Sequence, residues 1–376
     1  MILIIILAGA FLLYFVQNKL YEKYWDHGLK VSVEFSKNQV VQGDQVDLIE
    51  VISNEKILPL LMVRLKFKTD RSLRFTDIEE NVAVSDKTYK NDIFSLLFYQ
   101  KITRRIPCKC TGRGVFNIEE VELVSANLFL SVDYIDTVPV FSQITVYPKV
   151  ADAKQLAIPF RTMMGELLSR KRLYEDPFEF RSIREYTGME TMGAINWKAT
   201  ARTGDLKVNV HGNTSSQKTC ILLNLDTETN WSSDRLVEEC ISIAAGLSDM
   251  LMKANVAVSL VTNAVDVFTK EEIVLDDGNS SLHMDRLLTA LAHIDAKAEH
   301  RSFVEVLSQM QSQHSQSSDT LYVMISIASG VTLQNALEDF SKNLGDSMWI
   351  LPYEHQPEFS ISDLAHVSVY PWEVQL

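Results

Sequence analysis

T-C-I-L-L-N-L (219–225), closed by the oxygen-rich D-T-E-T-N (226–230), is the stretch that decides the fold. An apolar run this short and this continuous predicts a strand buried on both faces of a parallel sheet. The residues beyond it keep the same grammar. Ser233 and Asp234 open a helix in which Leu236, Cys240, Ala244, Leu247 and Leu251 recur on one face. A second strand is predicted over 256–261, helices over 284–294 and 303–310, and a third buried strand over 321–328. A helix over 333–344 stops at Gly345, and strands over 348–352 and 366–370 finish the chain. Strand–helix alternation of this kind builds a doubly wound α/β domain, assigned to 219–376.

Upstream, F-E-F-R-S-I-R-E-Y-T-G-M-E-T-M-G-A-I-N-W-K-A-T-A-R-T-G-D-L-K-V-N-V (178–210) is the densest mixture of charges, rings and turn glycines in the chain. It sits in a segment, 151–218, that begins with a helix-prone run over 151–174 ending in the basic cluster Arg170-Lys171-Arg172. Cations at a helix end complement its dipole. Asn196 to Arg202 reads as a short helix ended by Gly204. Two arrangements fit the stretch. In one, Ile183, Tyr186, Ile195 and Trp197 are buried anchors, and Arg181, Arg184, Glu185, Lys198 and Arg202 form ion pairs that pin the segment to the sheet. In the other, the same charges and Trp197 face outward as a docking patch, Arg and Trp being typical hot-spot residues. Burial would make truncation of Trp197 to alanine cost ~3–5 kcal/mol.

Between 29 and 150 the period is two. Val31, Val33 and Phe35 alternate with polar neighbours, Gly43-Asp44 marks a turn, and Leu61, Val63, Leu65 and Phe67 alternate again. Further runs at 99–110, 116–124 and 141–147, with the T-G-R-G turn at 111–114, predict a β-sandwich domain. Residues 71–97 look irregular and read as a long excursion between strands. No catalytic constellation lies in this domain, and a spacer or interaction module is the reading it supports.

The first residues, M-I-L-I-I-I-L-A-G-A-F-L-L-Y-F-V (1–16), are almost unbroken apolar. As a helix they span roughly 24 Å against a hydrocarbon core of ~30 Å. Tyr14, Phe15, Tyr21, Tyr24 and Trp25 form a candidate interfacial belt, and Lys19 can snorkel. We assign 1–25 as a transmembrane anchor. The Ala8-Gly-Ala10 triplet resembles a signal-peptide cleavage site, but no basic region precedes the apolar run. Lys19 and Lys23 follow the span, which places the remaining chain on the cytoplasmic side of a bacterial membrane crossed once.

Composition bounds the rest. The 376 residues suffice for two domains and an anchor, and a formal net charge of −13 argues against a nucleic-acid partner. Cys108 and Cys110 share a strand face, Cys220 lies in a strand and Cys240 on an apolar helix face, so all four cysteines read as packed hydrophobes. Phosphate loops, dinucleotide loops, H-E-x-x-H and G-x-S-x-G are missing from the sequence. His283, His293 and His300 fall close together in the chain, with helix breaks expected between them. No catalytic residue and no cofactor is nominated. Asp226, Glu228 and Asn230 put oxygens on alternate residues at the carboxyl end of the first strand, where such sheets bind ligands. They offer a partial Mg²⁺ shell, or simply a cap for the next helix.

R-E-Y (184–186), I-N-W-K (195–198), A-R (201–202), Gly204 and Leu206 resemble the hallmark of the bacterial domain-of-unknown-function fifty-eight family. The resemblance implies a membrane segment, a β-rich domain, this signature and then a domain similar to von Willebrand factor A. Many members carry an Asp and an Arg in the turn before the hallmark tryptophan; here Met189, Glu190 and Gly193 stand nearby. The A-type metal motif D-x-S-x-S keeps its Asp at Asp226 and replaces both serines. The resemblance also implies the company of MoxR-type AAA+ ATPases, hence a non-enzymatic adaptor in envelope-related assembly, with Arg184, Glu185, Tyr186, Asn196, Trp197, Lys198 and Arg202 as signature or docking residues. A Mg²⁺-dependent protein-binding module is the second reading. An unrecognised hydrolase, with no nominated nucleophile, is a distant third.

Overall fold

The computed structural model describes residues 2–75, 82–84, 87–173, 180–187, 193, 195–211, 218–226, 234–313, 320–354 and 364–374, with the backbone alone described over 82–84, 168–173, 180–181 and 210–211. The chain divides into two units, Met1–Lys149 and Val150–Leu376.

The first unit opens with α1 (Ile2–Tyr24), which is long and apolar enough to cross a membrane. Ten strands follow: β1 (Leu29–Phe35), β2 (Gln39–Val41), β3 (Gln45–Asn54), β4 (Leu60–Asp70), β5 (Leu73–Phe75), β6 (Val82–Val84), β7 (Lys87–Leu96), β8 (Lys101–Cys110), β9 (Gly114–Ala126) and β10 (Asp133–Tyr147). They form one sheet of order β1-β3-β8-β5 and another of order β2-β10-β9-β4-β7-β6. Alternate residues of both sheets, among them Val33, Leu48, Ile52, Leu65, Phe94, Ile106 and Ile118, meet in a shared core, as the period of two requires. All four cysteines of the chain are free and buried. The expected irregular excursion over 71–97 is corrected by β7, a ten-residue strand. Its K-T-Y-K-N-D opening carries little apolar signal because two of its buried positions are the charged Lys90 and Asp92, which pair with each other.

α1 does not stand apart from this unit. Its last turns join the same core through Tyr21, and Trp25 follows. The Tyr21 hydroxyl donates to the Pro59 carbonyl at 2.6 Å, and Trp25 stacks on Tyr134 with ring centroids 6.2 Å apart. Tyr134 Oη reaches the Asn18 carbonyl at 3.3 Å. One stripe of the helix is therefore docked, while Ile2 to Leu13 stay exposed.

The sandwich core also holds charge. Glu50 on β3 lies opposite Arg104 on β8 and is 0 % exposed. Asp92, on β7 of the other sheet, forms an ion pair with Lys90 Nζ at 2.7 Å and accepts from Arg104 Nη1 at 2.8 Å, so the Arg104–Asp92 pair crosses between sheets. Burial, reinforced by the negative charge of Asp92, pushes the Glu50 carboxyl up to about 8.

The second unit contains α2 (Ala153–Leu173), β11 (Phe180–Glu185), α3 (Trp197–Thr203), β12 (Lys207–His211), β13 (Lys218–Asn224), α4 (Asp234–Lys253), β14 (Ala257–Val265), β15 (Glu272–Gly278), α5 (Ser281–His293), α6 (Phe303–Gln313), β16 (Thr320–Ser326), α7 (Val331–Leu344), β17 (Ser347–Tyr353) and β18 (Val367–Glu373). Its main sheet runs β15-β14-β13-β16-β17-β18. All neighbours pair in parallel except the antiparallel edge strand β15. Ile221 and Leu223 of β13 face a core shared with α2, α4 and α5, whereas Cys220 and Leu222 face one shared with α6 and α7. Helices thus cover both faces, which is why β13 reads as a continuous apolar run. Met163 and Leu167 place α2 in this unit's core. The sequence reading misses β15, because three of the seven residues in E-I-V-L-D-D-G are acidic and only its Ile273 is buried. The histidine reading is corrected as well. His283 and His293 lie on one helix, α5, about 15 Å apart along its axis. His283 Nε2 meets the Val258 carbonyl at 2.8 Å and His293 Nδ1 meets Asp266 at 2.9 Å.

A carboxyl raised on folding favours the folded state most when both states hold the proton. The unfolded chain releases it near the ordinary value of 4.5 and the folded chain near 8. Stability of the sandwich therefore falls as pH rises through that window, by as much as ~1.4 kcal/mol per pH unit. Glu50→Gln is expected to flatten the denaturation midpoint against pH, raising it at pH 8 and leaving it unchanged near pH 4.

Candidate functional site

The carboxyl ends of β13, β14 and β16 converge where the strand order reverses, the usual place for a ligand in an open α/β sheet. A polar network fills this point. Asn224 Nδ2 donates to Ser326 Oγ at 2.9 Å, and Asn263 Oδ1 accepts from the Leu225 N–H at 3.1 Å. Asp226 is held on both oxygens: Oδ1 accepts from Asn263 Nδ2 at 2.6 Å and Oδ2 from the Phe303 N–H at 2.8 Å. Asn263 also donates to the Arg301 carbonyl at 3.0 Å. Asn224, Asn263 and Ser326 are buried, and a buried polar group needs this kind of pairing. The carboxylate sits at the N-terminal end of α6, where the helix dipole favours it.

The network is thus a fastener joining β13, β14 and the start of α6. Glu228 and Asn230 lie outside the described residues, as does the expected cap Ser233. Among the described residues no three His, Cys, Asp or Glu side chains gather as a metal would require. The donors that face Asp226 suit an anion, so this carboxylate alone does not make a cation shell. Sequence reasoning missed Asn263. Its signal was available: V-T-N-A-V (261–265) interrupts an apolar strand with two polar residues, both buried.

The signature segment forms a small body of its own. β11 and β12 pair antiparallel as a separate two-stranded sheet, and Ile195 bridges to Val208. Asn196 is its hub. The Oδ1 atom accepts from the Ala199 N–H at 2.9 Å as the N-cap of α3, Nδ2 donates to Asn209 Oδ1 at 2.7 Å, and the backbone N–H donates to the Lys207 carbonyl at 2.8 Å. Gly204 closes the helix at φ 80°, a left-handed position that glycine takes without strain. The short helix and its stop are where the sequence reading put them.

The buried-anchor arrangement is corrected at two positions. Ile195 is buried, but Trp197 is 61 % and Ile183 43 % exposed. With Ile195 and Asn196 turned toward β12, the first helical position that follows projects away from it. Tyr186 is partly buried, its N–H bonded to the Leu206 carbonyl. The contacts described for its charges run within the signature sheet. Glu185 pairs with Lys207 of the neighbouring strand at 3.0 Å, and Arg184 Nη1 donates to the Glu185 carbonyl. Lys198 and Arg202 are exposed on α3. The Arg181 side chain, Met189, Glu190 and the side chains of Arg170 to Arg172 lie outside the described residues.

Residues 182–343 match the family model described as "Protein of unknown function DUF58", which supports that family and includes the signature. No curated protein matches the chain. Among solved structures, a non-cellulosomal cohesin from Archaeoglobus fulgidus is similar at TM-score 0.21 and 10% identity, covering 31% of this chain and 91% of its own. A chain of a type I cohesin–dockerin complex from Clostridium thermocellum gives TM-score 0.21 and 11% identity, over 31% of this chain and 99% of its own. A CARDB domain from Pyrococcus furiosus, solved with di-metal ions, gives 0.21 and 11% over 31% and 93%. At such TM-scores the likeness carries no argument about this chain.

The two neighbours in the signature separate cleanly in their expected effects. Asn196→Ala removes a cap worth ~1–2 kcal/mol, a factor of ~5–30 in local opening, read as faster hydrogen exchange at Ala199 and Thr200. Trp197→Ala, truncating an exposed side chain, leaves the same amides and the melting temperature within ~0.5 kcal/mol of wild type.

Proposed function

We propose that this chain is a non-enzymatic adaptor, anchored in a bacterial membrane by α1 with its two units on the cytoplasmic side. It offers the face of α3 to a protein partner. The observation that carries the reading is the division of labour inside the signature. Ile195, Asn196 and Gly204 are engaged in building the α3 turn, while Trp197, Lys198 and Arg202 are left on its surface. An exposed tryptophan beside two cations has the composition of a binding hot spot, and among the described residues Trp197 belongs to no buried cluster. The family resemblance supplies the partner class, a MoxR-type AAA+ ATPase, and an envelope-assembly setting. The main sheet, with helices on both faces and an antiparallel edge strand, supports the reading of the second unit as von Willebrand factor A-like. Affinity purification of intact protein from solubilised membranes is expected to recover an AAA+ ATPase, and Trp197→Ala with Arg202→Ala to lose it at unchanged melting temperature. Recovery of no ATPase with wild type overturns the reading.

The Mg²⁺-dependent binding module retains one supporting observation, the position of Asp226 at the strand-order reversal. Titration calorimetry at millimolar Mg²⁺ decides it. Heat that disappears in Asp226→Ala supports metal binding there, and absence of heat with wild type removes it.

A further inference from the structure

The turn between β9 and β10, N-L-F-L-S-V (127–132), is built inside out. Its polar groups are turned inward. The buried Asn127 side chain accepts from the Ser131 N–H at 2.8 Å, donates to Ser131 Oγ at 2.8 Å and donates to Asn18 Oδ1 of α1 at 2.6 Å. The Leu130 N–H donates to the Asn127 carbonyl at 3.0 Å, with Leu130 held at φ 53°, a left-handed conformation uncommon for leucine. The apolar side chains are turned outward. Leu128, Leu130 and Val132 are exposed, and Phe129 is 63 % exposed. A turn in water has no reason to spend its polar groups on itself and show solvent three large hydrophobes in a row. In a lipid environment both halves of the arrangement are needed, because unsatisfied backbone and side-chain polar groups are costly there.

Its position says which surface it meets. Phe129 lies against Tyr14 of α1, ring centroids 5.8 Å apart, and Tyr14 Oη bonds Ser131 Oγ at 3.0 Å. Tyr14 stands about 15 Å before the end of the helix at Tyr24, so the turn reaches back along α1 toward its apolar end. Around Tyr14 on the helix, Phe11, Leu12, Leu13 and Phe15 are exposed as well. The run from Ile2 to Val16 spans roughly 22 Å, short of a ~30 Å hydrocarbon core.

From this juxtaposition we infer that the 127–132 turn is a second membrane contact, a finger whose Leu128, Phe129 and Leu130 enter the lipid interface beside α1 at the level of Tyr14. The inference rests on the reading of α1 as a membrane helix. Each such side chain is stabilised in lipid in proportion to the apolar area it removes from water. The finger thereby adds apolar depth where the short helix leaves the bilayer, and Tyr14 with its aromatic neighbour Phe129 marks the boundary.

The test uses the full chain reconstituted in phosphatidylcholine–phosphatidylglycerol vesicles. Single cysteines are introduced as Phe129→Cys or, separately, Leu128→Cys, with Ile6→Cys as the helix reporter, against native cysteines that are all buried. Each carries an environment-sensitive fluorophore, and nitroxide-labelled lipids serve as quenchers. The expected result is quenching at 129 and 128 by shallow nitroxides and at 6 by deep ones. Quenching at 6 with labels at both 129 and 128 in water overturns the finger and leaves the anchor standing. Labels at all three positions in water overturn the membrane reading of α1 and the finger with it.

Discussion

A strand covered by helices on both faces can carry no polar side chain along its length, so every polar group is driven to its ends. That constraint on β13 organises the second unit. It makes T-C-I-L-L-N-L apolar through its middle and places Asn224 and Asp226 at the carboxyl end. There they must find partners, and the partners available are Asn263 and Ser326 of the flanking strands and the first N–H of α6. At this crossing point, where such sheets bind ligands, the described polar groups pair with one another. A carboxylate whose two oxygens hold a strand and a helix together first serves the fold.

What the sequence revealed depended on whether a residue's neighbours are local. The α3 turn was legible because caps act within a few positions, and Asn196 and Gly204 announce a start and a stop whatever surrounds them. The buried parallel strands were legible because burial on both faces leaves an unbroken apolar run. Strands β7 and β15 were not, since each carries polar or acidic residues that register as loop until their pairing partners are known. Trp197 misled for the opposite reason. Residue type argues for burial, but on a helix of seven residues the face that packs is set by Ile195 and by the bonds of Asn196 to β12. The histidines misled because sequence proximity along a helix is axial distance rather than contact.

In the first unit, the sandwich core was legible from alternation, whereas its charged centre was not. Glu50 stands in the inward phase of β3 with Val46, Leu48 and Ile52; pairing with β8 sets it opposite Arg104, and the approach of β7 from the other sheet brings Asp92 and Lys90 near. Replacing buried ionic groups by apolar ones of similar volume is often neutral or stabilising, so the cluster is not an obvious source of stability. Its geometry does restrict how the two sheets can slide, since Arg104 and Asp92 must remain within hydrogen-bond reach across the gap.

The docking of α1 has a mechanical consequence. A helix followed by a free linker behaves as a tether, and the domain behind it tumbles independently. Here Tyr14, Asn18, Tyr21 and Trp25 attach successive turns of α1 to the loops and core of the sandwich. No pivot is left between them. The helix and the sandwich therefore turn as one lever arm, in which a few degrees of tilt at the apolar end become a displacement of the far edge of the domain in proportion to its length.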